Sequence, residues 1–78
     1  MTCKERYNLK HNLNIDTPHS LGDLELISKV SLGLLKSVRF SAEILWKNSY
    51  KYKRINMNQF AMAAVYSYLN DKEEHRTF

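Results

Sequence analysis

Residues 57–69 read MNQFAMAAVYSYL, and no other part of the chain shows so regular a pattern. The apolar side chains recur at intervals of three and four residues, which is the period of an α-helix with one buried face. They are Met57, Phe60, Ala61, Ala64, Val65, Tyr68 and Leu69. Asn56 precedes the stretch and Gln59 follows three residues later, a pair typical of a helix N-terminus. The stretch therefore predicts an amphipathic helix that begins at Met57.

A second helical region lies upstream, over residues 20–48. Ser20 can cap its first turn, and Asp23 stands where the reciprocal partner of a capping box belongs. The apolar residues that follow surround more than half of the helix, so we expect it to be covered on several sides. One long helix to Asn48 and two helices broken near Phe40 both fit the sequence. We favour the break, because a helix of about 30 residues would be about 45 Å long.

The N-terminal residues show a different period. Over residues 7–15, apolar and polar side chains alternate, with Tyr7, Leu9, Leu13 and Ile15 on one parity. Alternation is the pattern of a strand, and the three asparagines of this segment disfavour a helix. The segment predicts a short strand or an extended arm, and Pro18 ends it.

These elements predict one small, mainly α domain of three helices with a short N-terminal β-strand or extended arm. Residues 1–19 would form the arm, residues 20–70 the helical core and residues 71–78 a frayed tail. One proline and two glycines leave little of the chain for tight turns, which argues against a strand-rich sandwich. The predicted core consists of Leu24, Ile27, Leu34, Leu35, Val38, Leu45, Phe60, Ala64, Val65 and Leu69.

Cysteine content and hydropathy indicate the compartment. Cys3 is the single cysteine, so no internal disulfide can form, and a secreted domain of 78 residues would normally need one. Residues 1–11 are polar and lack the apolar core of a signal peptide. The longest apolar run is far short of the roughly 18 residues that a membrane span requires. We therefore expect a cytoplasmic protein with no membrane partner.

Positive charge is concentrated in one part of the chain. Residues 36–54 hold six lysines and arginines and one acid, whereas the other residues hold six and seven. Within this stretch, residues 47–54 form a basic-aromatic segment directly after Trp46. Lysine and arginine neutralise phosphates, and tyrosine can stack on bases, so the segment predicts a site for an anion or a nucleic acid. The alternative is an ordinary solvated loop. The candidate binding residues are Lys47, Tyr50, Lys51, Tyr52, Lys53 and Arg54.

The helix over residues 57–69 carries apolar side chains beyond its core stripe, namely Met62, Ala63 and Tyr66. A surface helix normally becomes polar there. Methionine and tyrosine are enriched in protein interfaces, so these three residues predict a surface for a protein partner or for self-association. The alternative is that the N-terminal segment covers this face within the monomer.

Metal and catalytic sites find little support. The residues that could bind a metal are Cys3, His11, His19 and His75, and their long spacings match no zinc motif. The acids lie near helix ends, and no glycine-rich phosphate loop or nucleophile elbow occurs. The last helix has no lysine or arginine between Met57 and Asn70, which argues against a DNA-recognition helix. We expect no cofactor, no small-molecule substrate and no enzymatic activity.

Two functions remain from this reasoning. The first is a non-catalytic protein-interaction module, such as a small regulator, inhibitor or assembly subunit. The second is a nucleic-acid-binding accessory protein that grips phosphates through residues 47–54. Residues 46–69 also resemble basic-loop-plus-helix segments of phage proteins, over less than a third of the chain and without a diagnostic motif. That resemblance implies a further alternative, a phage-encoded virion or host-interaction protein.

Overall fold

A computed structural model describes residues 2–51 and 53–74 of the chain. It contains four helices, α1 (Cys3–Lys10), α2 (Leu21–Ser28), α3 (Leu32–Lys47) and α4 (Met57–Glu74). Helix α4 packs along α3 and also against α1, and α2 packs on α3. The described residues include no strand, so the prediction of a mainly α domain is confirmed and its helix count is one too low.

The predicted N-terminal strand is wrong, because Cys3–Lys10 is a helix. Thr2 and Glu5 form a complete capping box at its start. The amide N–H of Glu5 donates to Thr2 Oγ1 at 3.2 Å, and the amide N–H of Thr2 donates to Glu5 Oε1 at 3.1 Å. These bonds satisfy two amide groups that would otherwise have no partner in the first turn. They also lower the pKa of Glu5.

The asparagines that argued against a helix include the residue that ends α1. Asn12 adopts a left-handed conformation with φ of 59°, which asparagine tolerates better than most residues. The amide of Leu13 then donates to the carbonyl of Asn8 at 2.8 Å, and the amide of Asn12 donates to the carbonyl of Leu9 at 3.2 Å. This pair of bonds is a Schellman motif. The apparent alternation over 7–15 therefore spans a helix end and a loop.

Asn8 connects α1 to the loop that follows it. The side chain is fully buried. Its Nδ2 donates to the carbonyls of Ile15 and Thr17, at 3.0 and 3.2 Å. Its Oδ1 accepts a hydrogen bond of 2.6 Å from His19 Nε2. One buried amide thus holds three positions of the loop, and burial of the ring lowers the pKa of His19.

The region 20–48 forms two helices, and the break lies at residues 29–31 instead of near Phe40. Lys29 ends α2 in a left-handed conformation, with φ of 62°. Ser31 then caps α3 by accepting from the amide of Leu34 at 3.3 Å. Glu25 also reaches across the break and accepts from the amide of Leu32 at 2.8 Å. These side-chain bonds end and restart the helix without a glycine or a proline.

The predicted starts of α2, capped by Ser20, and of α4, at Met57, are confirmed. Ser20 and Asp23 form the capping box of α2. Asn56 Oδ1 accepts from the amide of Asn58 at 2.8 Å at the start of α4. At its other end α4 continues to Glu74, so residues 71–74, assigned to a frayed tail, are helical. There Glu73 accepts from His11 Nε2 at 2.9 Å, which ties this end to α1.

The core lies where α1, α2, α3 and α4 meet. Its buried cluster consists of Tyr7, Leu24, Val30, Leu35, Val65, Tyr66 and Leu69. Four of the predicted core residues, Leu24, Leu35, Val65 and Leu69, are fully buried. Another four are half-buried, namely Ile27, Val38, Phe60 and Ala64. The predictions for Leu34 and Leu45 are wrong, because both side chains are exposed on α3. The core also includes Tyr7 and Tyr66, which were not predicted to belong to it.

We predict that Tyr7→Ala lowers the free energy of unfolding by about 3–5 kcal/mol, because it leaves a cavity in the core. Urea denaturation followed by circular dichroism measures this loss. Tyr7→Phe is the matched control and should change stability by less than about 1 kcal/mol, since Tyr7 Oη is buried without a hydrogen-bond partner among the described residues. A large loss in both variants would contradict the packing described for Tyr7.

We predict that stability falls as the pH drops below the ordinary histidine value of 6.5, because the pKa of His19 is lowered in the folded state. Below that value the unfolded chain binds the proton more readily, so the stabilisation present at higher pH is lost. Asp23 opposes this shift, whereas Lys4 and His11 add to it. Thermal melts of the wild type and His19→Gln across this range measure the effect. Glutamine keeps a donor for Asn8 but does not titrate. If the melting temperature of His19→Gln falls with pH as much as that of the wild type, His19 is not the group responsible.

Candidate functional site

The face predicted to bind a partner through Met62, Ala63 and Tyr66 borders a groove of about 500 Å³. The groove lies between the start of α1, the loop at Pro18 and the first half of α4. Its other lining residues are Thr2, Cys3, Lys4, His19, Ile55, Asn58 and Gln59. Met62 is half-buried and Ala63 is exposed. The structure therefore places the three predicted residues together along one concave surface.

Tyr66 contributes to the core more than to the surface, since its side chain is 3 % exposed. The ring lies 5.7 Å from that of Tyr7 and 6.0 Å from that of His19, measured between centroids. Burial raises the pKa of Tyr66 to about 12. The N-terminal segment thus covers this residue within the monomer, as the alternative interpretation held, but it does so as a helix.

The basic-aromatic segment begins at Lys47, the last residue of α3, and Trp46 bridges its two ends. The indole Nε1 donates to the carbonyl of Ile55 at 2.7 Å, across the segment. Lys53 Nζ lies 4.2 Å from the centroid of the Trp46 ring, a cation–π contact. Tyr50 is 96 % exposed and lines a shallow recess of about 340 Å³ with Lys47 and Lys53. Tyr52 lies outside the described residues.

The cations of this segment differ in how far they are engaged. Lys53 makes a cation–π contact with Trp46, so its ammonium group already has a partner within the chain. Lys47, Lys51 and Arg54 are exposed, and none forms an ion pair with another described residue. Three predicted binding residues are therefore free to meet an anionic partner.

A further surface, which the sequence reasoning missed, lies on α3. Residues 33, 37, 40 and 44 recur at helical intervals and share the side opposite the buried Leu35 and Ala42. Phe40 is 63 % exposed and Ile44 is 44 % exposed on this side. The adjacent row at residues 34, 41 and 45 adds two exposed leucines and a serine. We call these seven residues the outer face of α3: Gly33, Leu34, Ser37, Phe40, Ser41, Ile44 and Leu45.

None of the seven residues of the outer face is charged, but one of its edges carries two lysines. Lys36 precedes Phe40 by four residues and Lys47 follows Ile44 by three, so both lie beside these apolar side chains. Both lysines are exposed and without an ion pair among the described residues. Arg39 is engaged differently, with Glu43 at 3.7 Å and with Asn58 Oδ1 at 2.6 Å.

The sequence did carry a signal for this face. The apolar residues of 20–48 surround more than half of a helix, a pattern that predicts cover on several sides by the rest of the chain. Among the described residues, α4 and α2 pack on α3 and leave the side of Phe40 and Ile44 exposed. The same pattern therefore also indicates a helix with a free apolar side.

Three of the acidic side chains have structural roles. Glu5 and Asp23 cap helices, and Glu73 joins α4 to Lys10 and His11. Within residues 2–51 and 53–74, no three histidine, cysteine, aspartate or glutamate side chains are placed to share a metal ion. His75 lies outside those residues. None of the helices in the described part of the chain has the length and apolar character needed to cross a membrane.

Among the described residues, three surfaces are candidates for a function: the outer face of α3, the basic-aromatic segment and the groove beside α4. Comparisons of this chain with protein-family models, with curated proteins and with solved structures found no match.

Proposed function

We propose that this chain is a non-catalytic protein-interaction module whose partner binds the outer face of α3. The observation that carries the proposal is the exposure of Phe40 and Ile44 on the side of α3 opposite the core. Burying apolar surface yields about 25 cal/mol per Å², so leaving these side chains in water forgoes a favourable term. Contiguous exposed apolar residues with a polar border are typical of interaction sites.

The outer face of α3 suits a partner better than the groove beside α4 does. In the groove, Tyr66 is buried in the core and Met62 is half-buried, so Ile55 is the one large apolar side chain there that is exposed. On α3, Phe40, Ile44 and Leu45 are all exposed along one helix. Aromatic and aliphatic side chains of this kind form the energetic centres of interfaces.

The basic-aromatic segment extends the same surface in this proposal. Lys47 belongs to α3 and borders its outer face, and the segment begins at this residue. Exposed cations at the rim of an apolar patch steer an acidic partner and set its orientation more than they add affinity. We propose that this binding takes place in the cytoplasm, because a single half-buried thiol, Cys3, fits a reducing compartment.

We predict that changing Phe40 and Ile44 together to serine weakens partner binding by about 2–4 kcal/mol, which is the usual effect of losing interface hot spots. Stability should change by less than about 1 kcal/mol, because both side chains are exposed. The measurement uses tagged full-length chains as bait in cells that produce the protein, with quantitative mass spectrometry of the proteins retained.

Leu26→Ser provides the matched control, since Leu26 is 79 % exposed on α2 and lies outside the outer face of α3. A protein retained by the wild type and by Leu26→Ser, but lost with the double serine variant, supports the proposal. Retention of the same proteins by all three chains would refute it.

A second candidate function is the binding of single-stranded nucleic acid by the basic-aromatic segment. Tyr50 favours it, because an almost fully exposed ring beside Lys47 and Lys51 could stack on a base while the lysines meet phosphates. The recess lined by Lys47, Tyr50 and Lys53 could hold such a base.

We predict for this second candidate that Lys51→Ala lowers the salt dependence of binding by about 0.7 in log–log slope, the value expected for one phosphate contact on a single strand. Tyr50→Ala should weaken binding by about 1–3 kcal/mol. Fluorescence anisotropy of a labelled thymidine oligonucleotide measures both, with Lys4→Ala on α1 as a control. Absence of binding at low salt would eliminate this candidate.

A further inference from the structure

We infer that the partner presents an amphipathic helix with acidic residues along one edge, and that this helix lies along the outer face of α3. The inference rests on the proposed function and adds the chemistry of the partner to it. Three observations carry it: the shape of the face, the two lysines along one of its edges, and the poor charge match of a second copy.

The relief of the outer face suits another helix. Small and large residues alternate in sequence along it, since Gly33, Ser37 and Ser41 are followed in turn by the exposed side chains of Leu34, Phe40 and Ile44. The space beside Gly33 is open, because a methyl group added there would meet no atom within 4 Å. Rows of side chains at intervals of three and four residues form ridges, and a helix packs by placing its own ridges in the grooves between them.

The length of the face sets the size of the partner. Helix α3 has 16 residues and is therefore about 24 Å long. A partner helix of four turns or so would cover it, and its apolar residues would repeat at the same intervals. Extended peptides read out side chains at alternate positions and pair with the edge of a sheet, and the described residues of this chain form no sheet.

The border specifies the charge of the partner. Lys36 and Lys47 flank Phe40 and Ile44 on the same edge and are eleven residues apart, which is about 16 Å along the helix. Neither lysine has an ion pair among the described residues, and Lys51 and Arg54 continue the positive charge beyond the end of α3. Carboxylates on the facing edge of the partner would meet this row.

A second copy of this chain does not supply those carboxylates. Its outer face would bring the same lysines, Lys36 and Lys47, toward the first copy. The one acid of α3 is Glu43, and it already pairs with Arg39 at 3.7 Å. In a pair of copies, lysines would therefore face lysines, and the one acid of each α3 is already paired with Arg39. Such like-charge contacts disfavour association.

The experiment is a selection from a displayed library of helical peptides of about 18 residues, randomised at all surface positions, on the immobilised full-length protein. The wild type should enrich amphipathic sequences with glutamate or aspartate along one edge. Phe40→Ser with Ile44→Ser should abolish the enrichment. Lys36→Glu with Lys47→Glu should shift the enriched edge from acidic to basic residues.

Synthesised winners then give the size of the effect. An acidic winner should bind the Lys36→Glu, Lys47→Glu variant about tenfold or more weakly than the wild type, and a version with lysines at the acidic positions should recover that loss. Lys4→Glu with Lys72→Glu makes the same change in net charge on α1 and α4, away from the outer face, and should leave binding within about twofold.

The outcomes separate the two levels of the proposal. Enriched helices that depend on Phe40 and Ile44 but show no acidic edge, or no response to Lys36→Glu with Lys47→Glu, would overturn the partner chemistry and leave the proposed function. Enrichment that ignores Phe40 and Ile44, or no enrichment on the wild type, would overturn both. Sedimentation equilibrium tests the remaining occupant: a wild-type dimer that becomes a monomer with Phe40→Ser would assign the outer face to a second copy and overturn the inference.

Discussion

The ring of Tyr7 packs against the ring of Tyr66, with centroids 5.7 Å apart, and this contact joins the first helix to the last. Both side chains are buried, together with Val65 and Leu69 from the same side of α4. In so small a chain a single pair of buried aromatic rings is a large part of the available core. Without α1, Tyr66 would lie on the surface, and α4 would lose the packing of its second side. Helix α1 is therefore part of the core and not an appendage to it.

The position of α1 also explains why α3 is left open. Helix α4 is covered by α3 and by α1, so the apolar residues that exceed its core stripe are largely used inside the chain. Helix α3 is covered by α4 and by the short α2, and the described residues place nothing on the side of Phe40 and Ile44. Both long helices carry more apolar residues than one core stripe needs. On α4 the additional residue Tyr66 is buried, whereas on α3 Phe40 and Ile44 are exposed. Function is proposed on the helix where these residues are exposed.

Local chemistry explains which parts of the fold were predictable. The helix starts at Ser20 and Asn56 follow from side chains that bond amides within three residues, so short stretches of sequence are sufficient to find them. The start at Thr2 has the same basis, whereas the alternation over 7–15 predicted a strand that the structure does not contain. A break within 20–48 was predicted, but its position at residues 29–31 was not, because serine and glutamate side chains end and cap these helices, and the sequence shows no glycine or proline there.

The candidate sites divide along the same line. Composition alone located the excess of positive charge in residues 36–54, and the helical period alone located the apolar stripe of α4. Neither could tell that Tyr66 would be buried, because that outcome depends on a contact with Tyr7, far away in the sequence. Nor could either tell that Leu45 would be exposed, because that depends on which sides of α3 are covered by α2 and α4. Capping and periodicity act within a few residues and can be read from short segments. Burial depends on which distant segments meet, and that is a property of the folded chain as a whole.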